Sequence, residues 1–365
     1  MTSLHRLREA IRPPAPEAAV EAQRHLDDLT KPPGSLGRLE EIALRLATIS
    51  GGAPRVDQPV VFTFAADHGV VAEGVSAYPQ VVTAQMVENF VRGGAAINVL
   101  ARGAGARVVV ADFGVIGPVP RAVGLVSCPI AAGTANIARG PAMTVEQATR
   151  AIERGAALAE EAIDAGADLL ATGEMGIGNT TVAAAITAAI VGAPPEAVTG
   201  RGTGIDDEGW RRKVETVRRA LAVNRPNAAD GLDVLARVGG FEIAGLVGVV
   251  LAGAARRVPV VLDGFISTAA GLIAAALAPH ARHALFASHR SAEPGHALAL
   301  AHLGLVPYLD LSLRLGEGTG AALFIHLARA ASLIYREMAT FTSAGVSQSE
   351  GASIAPAKPA LEPQS

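Results

Sequence analysis

DLLATGEMGIGNTTVAAAITAAIVGA, residues 168–193, reads as a strand, a glycine loop and a helix. Residues 167–172 are short and apolar. Gly173, Gly176 and Gly178 then break the run, and residues 181–190 are small, apolar and long enough for a helix. A strand passing through a glycine turn into a helix opens a βαβ crossover. The same alternation recurs on both sides. Residues 59–66, 106–111, 258–262, 284–287 and 308–313 read as further strands. Residues 83–100, 145–165, 207–222, 269–277 and 319–338 read as helices, with Thr144 and Gln147 forming a capping box before the second. The fold class is α/β, with a parallel sheet and crossover helices.

The chain ends differ. Residues 16–30 are amphipathic. After Pro32, Pro33 and Gly34, Ser35 reads as an N-cap for a helix carrying Leu36, Leu39, Ile42, Ala43 and Leu46. Residues 51–58 read as a linker, and about the last 20 residues as a loose Ser/Pro/Ala-rich tail. Of 365 residues, 50% are hydrophobic and 18% charged, enough for a true core. A net charge of −3 argues against a nucleic-acid partner. Cys128 stands alone, which excludes an intrachain disulfide and a Cys-rich zinc site. The longest apolar runs, 244–255 and 265–279, fall short of the ~18–20 residues that span a bilayer. The N-terminus lacks a continuous apolar stretch for export. A cytoplasmic enzyme is expected.

Five acids follow strand-like runs beside glycines: Asp67, Asp112, Glu174, Asp263 with Gly264, and Glu317 with Gly318. In a parallel sheet such ends share one edge, where ligands bind. One Asp-Gly or Glu-Gly pair only turns a chain; five suggest a polar site. The loop Gly173–Thr181 has P-loop spacing, with Asn179 where a lysine belongs. Its backbone and the following helix start, through Gly176, Ile177, Gly178, Asn179 and Thr180, suit a single phosphate better than a triphosphate. A second cluster, Gly200 to Gly204 with Gly202 and Thr203, precedes a basic helix bearing Arg211, Arg212, Lys213, Arg218 and Arg219. A basic helix is commonly a solvated face. Lys213, however, points back toward the glycines and can reach a ribose or phosphate. The pair Asp206-Asp207 reads as an N-cap. The nine histidines show no metal-ligand spacing: neither His280 with His283 nor His289 with His296 has a matching carboxylate. His68, after Asp67, is open to either a site or a structural role.

Long segments are more specific than these motifs. They include KPPGSLGRLE (31–40), ADHGVVAEGVSAYPQVVTAQM (66–86), TANIARGPAM (134–143) and GEMGIGNTT (173–181). They continue with VGGFEIAGLVGVVLAGA (238–254), VPVVLDGFISTAA (258–270) and SHRSAEPGHALALAHLGLVPYLDLSLRLGEGTGAA (288–322). Together these make a chain that resembles the nicotinate-nucleotide–dimethylbenzimidazole phosphoribosyltransferases. The resemblance implies a homodimer with a Rossmann-like α/β domain over 56–317. It also implies a smaller helical domain from 1–55 and 318–342, with 343–365 as the tail. It implies substrates nicotinate mononucleotide and 5,6-dimethylbenzimidazole, with no cofactor, metal, nucleic acid or membrane. It implies that Glu317 is the catalytic base and that Gly173–Thr181 holds the nucleotide phosphate. The stretch around Tyr78, Pro79 and Met86 would line the benzimidazole pocket. Gly204, Asp263, Gly264, Ser291 and Leu315 complete the expected substrate contacts.

The chemistry is consistent with one base. Nicotinate leaves C1′ neutral and needs no acid. The attacking benzimidazole carries a proton on its second nitrogen, which a carboxylate removes as the new bond forms. No pyrophosphate departs, so no metal is required. Glu174 either stabilises the developing positive ribose or turns the chain. Two rival readings are a nucleotide kinase or ATPase on the near-P-loop and a non-catalytic sensor of a phosphoribosyl compound or benzimidazole.

Overall fold

The computed structural model describes residues 3–119, 124–202 and 204–347. One sheet contains β1 (Pro59–Ala66), β2 (Arg107–Gly114), β3 (Leu125–Ser127), β4 (Leu169–Met175), β5 (Val260–Leu262) and β6 (Leu285–Ala287). Every pairing is parallel, in the order β3-β2-β1-β4-β5-β6. That order reverses between β1 and β4, which makes their carboxyl ends the topological switch point.

The first helices are α1 (Ser3–Ala10), α2 (Pro16–Asp28), α3 (Arg38–Ser50), α4 (Val82–Arg92), α5 (Ala96–Gly103), α6 (Val145–Asp164) and α7 (Asn179–Val191). There follow α8 (Pro195–Val198), α9 (Asp207–Asn224), α10 (Gly231–Val238) and α11 (Phe241–Ala255). The last are α12 (Phe265–Leu277), α13 (Pro294–Leu303), α14 (Thr319–Glu337) and α15 (Phe341–Ala344).

Strand alternation assigns the layers. Val60, Phe62 and Phe64 of β1 join the core of α6, α7, α11 and α12. Val61 points to the opposite face, into a core built with Leu26 of α2, Ile42 and Leu46 of α3, Ile97 of α5 and Phe324 of α14. Both faces are covered, so all eight residues of β1 are buried and the strand reads as one apolar run. Helices α6 and α11 touch backbone to backbone: a Cβ on Gly155 would run into Gly245, and one on Gly248 into Ile152. Leu4 and Leu7 of α1 belong to the α6–α11 core, whereas α2, α3 and α14 share the other layer.

The strand at 59–66 forms with those bounds, and those at 106–111, 167–172, 258–262 and 284–287 form with shifted ends. The capping box forms too: Thr144 accepts from the Gln147 amide and Gln147 accepts from the Thr144 amide. Asp206 caps α9 by accepting from Gly209 N at 2.8 Å.

Three expectations need correction. Residues 308–313 are not a strand; they make a single bridge, His289 to Leu309, and left-handed Ser312 (φ 55°) interrupts the extended chain. Their period-two apolar pattern therefore never extends into a ladder. The helix expected over 83–100 is two helices, because Gly93 at φ 77° caps α4 through the Asn89 and Phe90 carbonyls. Ser35 does not cap α3. Gly37 stands there, and the Glu40 carboxylate takes the Gly34 and Leu36 amides while pairing with Lys31 at 2.8 Å. Strand β3, too short for an alternation signal, was not expected. Among the described residues no helix is long and apolar enough to cross a membrane.

Candidate active site

The five acids part company. Asp112 Oδ1 accepts from Gly114 N and Val115 N at 2.9 and 2.8 Å, and Asp67 Oδ2 accepts from Ile116 N at 2.7 Å. These two hold loop backbone, as strand-terminating turns do. Asp263 sits at the amino end of α14, accepting from Gly318 N at 3.2 Å and Ala321 N at 3.0 Å. The helix dipole favours an anion there, yet full burial pushes its carboxyl up to about 7.

Glu174 and Glu317 remain. Glu317 follows no strand. It lies between Gly316 (φ 85°) and Gly318 (φ 99°), itself left-handed at φ 65°. Three such residues in a row bend the chain over β4: Glu317 N donates to Glu174 O at 3.2 Å, and Thr63 Oγ1 donates to Glu317 O at 2.9 Å. The glycines have a reason here. A Cβ on Gly316 would strike the Glu174 carboxylate, and one on Gly173 would strike the Glu317 carbonyl. The Glu317 carboxylate is buried and accepts from Ile97 N at 3.2 Å, at the start of α5. Burial raises its pKa, partly offset by that amide. Glu174 is buried with Asn179 Nδ2 donating to it. Burial first, then the nearby charges of Asp263 and Glu242, push it up to about 8. At neutral pH Glu174 therefore holds its proton in the free protein.

Beside these acceptors lies a donor-rich end. Gly178, at φ 93°, caps α7, and Ile177 N donates to Thr83 Oγ1 of α4 at 3.2 Å. Lys213 of α9 is buried, with Nζ donating to Thr180 Oγ1 at 2.8 Å. A Cβ on Gly202 would lie 3.0 Å from Thr180 Oγ1 and 3.1 Å from Lys213 Nζ. The two glycine loops thus converge on one ammonium. Burial lowers the Lys213 pKa to about 8, against the pull of Glu293.

A cleft of about 650 Å³, including its open mouth, joins the two ends. Of the residues expected from sequence, Glu174, Gly176, Ile177, Asn179 and Thr180 line it from β4 and its loop. Gly202, Gly264, Ser291 and Leu315 line it from elsewhere. Gly178, Lys213 and Asp263 stand behind that wall, and Gly204, at φ 104°, continues the second loop. Tyr78 and Pro79 are exposed and Met86 is half-buried on α4, tied to the first loop by the Thr83–Ile177 bond. Thr203 lies outside the described residues.

Other contributors were not expected, among them Phe265, Ile266 and Gly316. Glu293 accepts from Gly202 N at 2.8 Å, Arg314 Nη1 donates to Gly202 O at 3.3 Å, and Met175 and His289 line the cleft. A Ser-His-Arg-Ser run carries no metal spacing, so a search for ligand sets passes over it.

A phosphoribosyltransferase family model matches residues 11–346. A relative from Chloroflexus aggregans, named nicotinate-nucleotide–dimethylbenzimidazole phosphoribosyltransferase, is 58% identical over 337 residues, 92% of this chain and 96% of its own. The chain belongs to this family. Another phosphoribosyltransferase of that name, from Desulforudis audaxviator, is 55% identical over 96% of this chain and 99% of its own. A crystal structure of the phosphoribosyltransferase from Thermus thermophilus superposes with a TM-score of 0.87 at 54% identity, covering 92% of this chain and 99% of that one. The Rossmann-like α/β architecture is thus that of the phosphoribosyltransferase family. Neither rival reading, kinase or sensor, finds support among these relatives.

Proposed function

We propose that the chain moves the 5-phosphoribosyl group of nicotinate mononucleotide onto a nitrogen of 5,6-dimethylbenzimidazole. Nicotinate and α-ribazole 5′-phosphate are the products. The observation that carries this reading is the polarity of one cleft: Gly176, Gly202 and Thr180, backed by Lys213, at one end, and Glu174 with Gly316, the chain neighbour of Glu317, at the other. Donors and a helix amino terminus suit a phosphate. Acceptors suit a ribose and a proton to be removed.

The steps follow. The phosphate seats against Gly176–Thr180 and Gly202, with Lys213 supplying countercharge through Thr180. The benzimidazole lies toward Tyr78, Pro79, Met86 and Leu315, where an aromatic ring and a thioether offer adaptable contact. Its bare nitrogen attacks C1′ from the face opposite nicotinate, inverting the centre. The C1′–pyridine bond breaks with its electron pair passing to the pyridine nitrogen. Glu317 takes the proton of the second benzimidazole nitrogen, so the product ring leaves neutral. A carboxylate with a raised pKa is a stronger base than an exposed one. Glu174 meets a pyridinium ribose when substrate arrives; that positive charge favours its ionised form, which then faces the oxocarbenium-like transition state.

The same reading takes the molecule as a cytoplasmic homodimer with a smaller helical part from both chain ends. Sedimentation at twice the 37.0 kDa of one chain tests the dimer. To test the reaction, the protein is mixed with both substrates and no ATP. Nicotinate and α-ribazole 5′-phosphate should appear in equal amounts. Turnover that requires ATP would favour the kinase reading, and binding without products the sensor.

A further inference from the structure

Two buried histidines flank the cleft, and their hydrogen bonds fix which nitrogen carries the proton. Ser291 N donates to His296 Nδ1 at 2.9 Å. A backbone amide can only donate, so His296 Nδ1 is bare and its Nε2–H points to Thr268 Oγ1 at 3.0 Å. Thr268 passes its own proton to the Gly264 carbonyl at 2.8 Å. His296 thus ties together two lining residues, Ser291 and Gly264.

His289 is the opposite tautomer. Ser288 Oγ donates to the Asp263 carbonyl at 2.7 Å, which uses its only proton. The 3.1 Å contact between Ser288 Oγ and His289 Nδ1 therefore has the histidine as donor. The Asp263 carboxylate, 3.9 Å from Nδ1, favours the same placement. Burial keeps the ring neutral, its pKa lowered to about 4. Nε2 is then a bare acceptor. It has no protein partner among the described residues, and the Cε1–Nε2 edge lies beside Gly264, where an added Cβ would be 3.4 and 3.6 Å from those atoms. Both His289 and Gly264 line the cleft.

We infer that His289 is a specificity residue: its fixed Nδ1–H tautomer presents Nε2 as the acceptor for a ribose hydroxyl of the nucleotide. This rests on the transferase reading. The ribose hydroxyls are the donors that nicotinate mononucleotide brings besides any proton on its phosphate, and the phosphate belongs to the donor-rich end. A bare imidazole nitrogen lining the cleft beside Gly264 is matched by a hydroxyl and by neither the phosphate nor the nicotinate carboxylate. A site built to bond a hydroxyl rejects an analogue that lacks it, because its acceptor is left unpaired.

The test compares kcat/KM, and calorimetric affinity, for nicotinate mononucleotide and its 2′-deoxy and 3′-deoxy analogues. The proteins are the parent, His289→Phe, His289→Asn and His289→Gln. Phe keeps the ring and loses both nitrogens. Asn keeps a donor toward Ser288 and loses the acceptor at Nε2. Gln can place an amide oxygen near that position. The parent should prefer the full ribose over one of the two analogues. That preference should shrink about tenfold in the Phe and Asn variants, equivalent to ~1.4 kcal/mol, and return in part with Gln. Preferences unchanged in Phe and Asn, or equal losses on all three nucleotides, would overturn the role. A parent that binds the mononucleotide but never turns it over would instead count against the transferase reading, while the affinity ratios still decide on His289.

Discussion

Glu317 is held where few glutamates are found. A left-handed conformation costs an L-residue roughly 1–2 kcal/mol, and glycines on both sides leave the turn free to impose it. Strain at a single carboxylate, retained between two flexible neighbours, is the pattern of a residue fixed for its chemistry. Replacing Glu317 by Gln keeps the side chain's length. kcat should fall by ~10²–10⁴ with KM values little changed, as general-base loss requires; steady-state kinetics on both substrates shows the split. Glu174 gives a second expectation. A folded pKa of about 8 against the ordinary 4.5 means the folded protein holds a proton that the unfolded chain releases. Stability from this group is full below about pH 4.5 and is lost as pH rises to about 8. Glu174→Gln should therefore melt a few °C higher than the parent at about pH 8.5 and little differently at about pH 5; calorimetric scans of both proteins across that range check it. An inverse order at the alkaline end would mean the carboxylate is stabilising when ionised. Adjacency to glycine flagged both acids in the sequence. It flagged Asp67 and Asp112 equally, since a turn-forming acid and a site acid share the same local signature. Only their partners, Ile116, Gly114 and Val115, separate them.

At the scale of elements, the glycine loop at 173–181 and the basic helix are joined by the Lys213–Thr180 hydrogen bond. Lys213 is one of five cations on a basic helix, set apart in the sequence by its direction toward the glycines; in the structure it is the buried one, bonded to Thr180. Lys213→Met should weaken nicotinate mononucleotide binding roughly 10- to 150-fold, the range of one charge-assisted bond. Binding of the unphosphorylated riboside should barely change. Isothermal titration of both ligands distinguishes this from a general loss of fold. Gly178 makes a poorer test than its place in the loop suggests: at φ 93° with Val71 Cγ2 2.9 Å from an added Cβ, an alanine there strains the backbone whatever it binds. Helix α4 and the turn before it carry the candidate contacts of the other proposed substrate, Met86 on the helix and Tyr78 and Pro79 ahead of it. Tyr78→Ala should raise KM for dimethylbenzimidazole and leave that for the mononucleotide unchanged. Equal shifts in both would make Tyr78 a structural residue. The break between α4 and α5 was hidden in the sequence because the apolar period runs on through Gly93. The break matters, since it creates the amino terminus whose Ile97 amide holds Glu317.

The whole molecule follows from a sheet covered on both sides. Strand-loop-helix alternation was legible because buried parallel strands are continuous apolar runs and Gly-rich turns punctuate them. The failure at 308–313 has the same physics inverted: alternation survives there, but Ser312 turns the chain before a ladder can form. Strand order cannot be read from alternation, yet it places the site, since the switch between β1 and β4 brings Glu174 to the gap that Gly316-Glu317 closes. Assembly of that gap from β4, the turn before α14 and the start of α5 is what fixes Glu317 in place, and the proposed reaction makes it the base. Its most direct test is the pH dependence of nicotinate release from nicotinate mononucleotide with dimethylbenzimidazole, for the parent and Glu317→Gln side by side. The parent rate should decline as pH falls through the raised pKa of Glu317, while the variant stays ~10²–10⁴ slower and loses that limb of the profile. A variant matching the parent in rate and profile would show that Glu317 takes no proton.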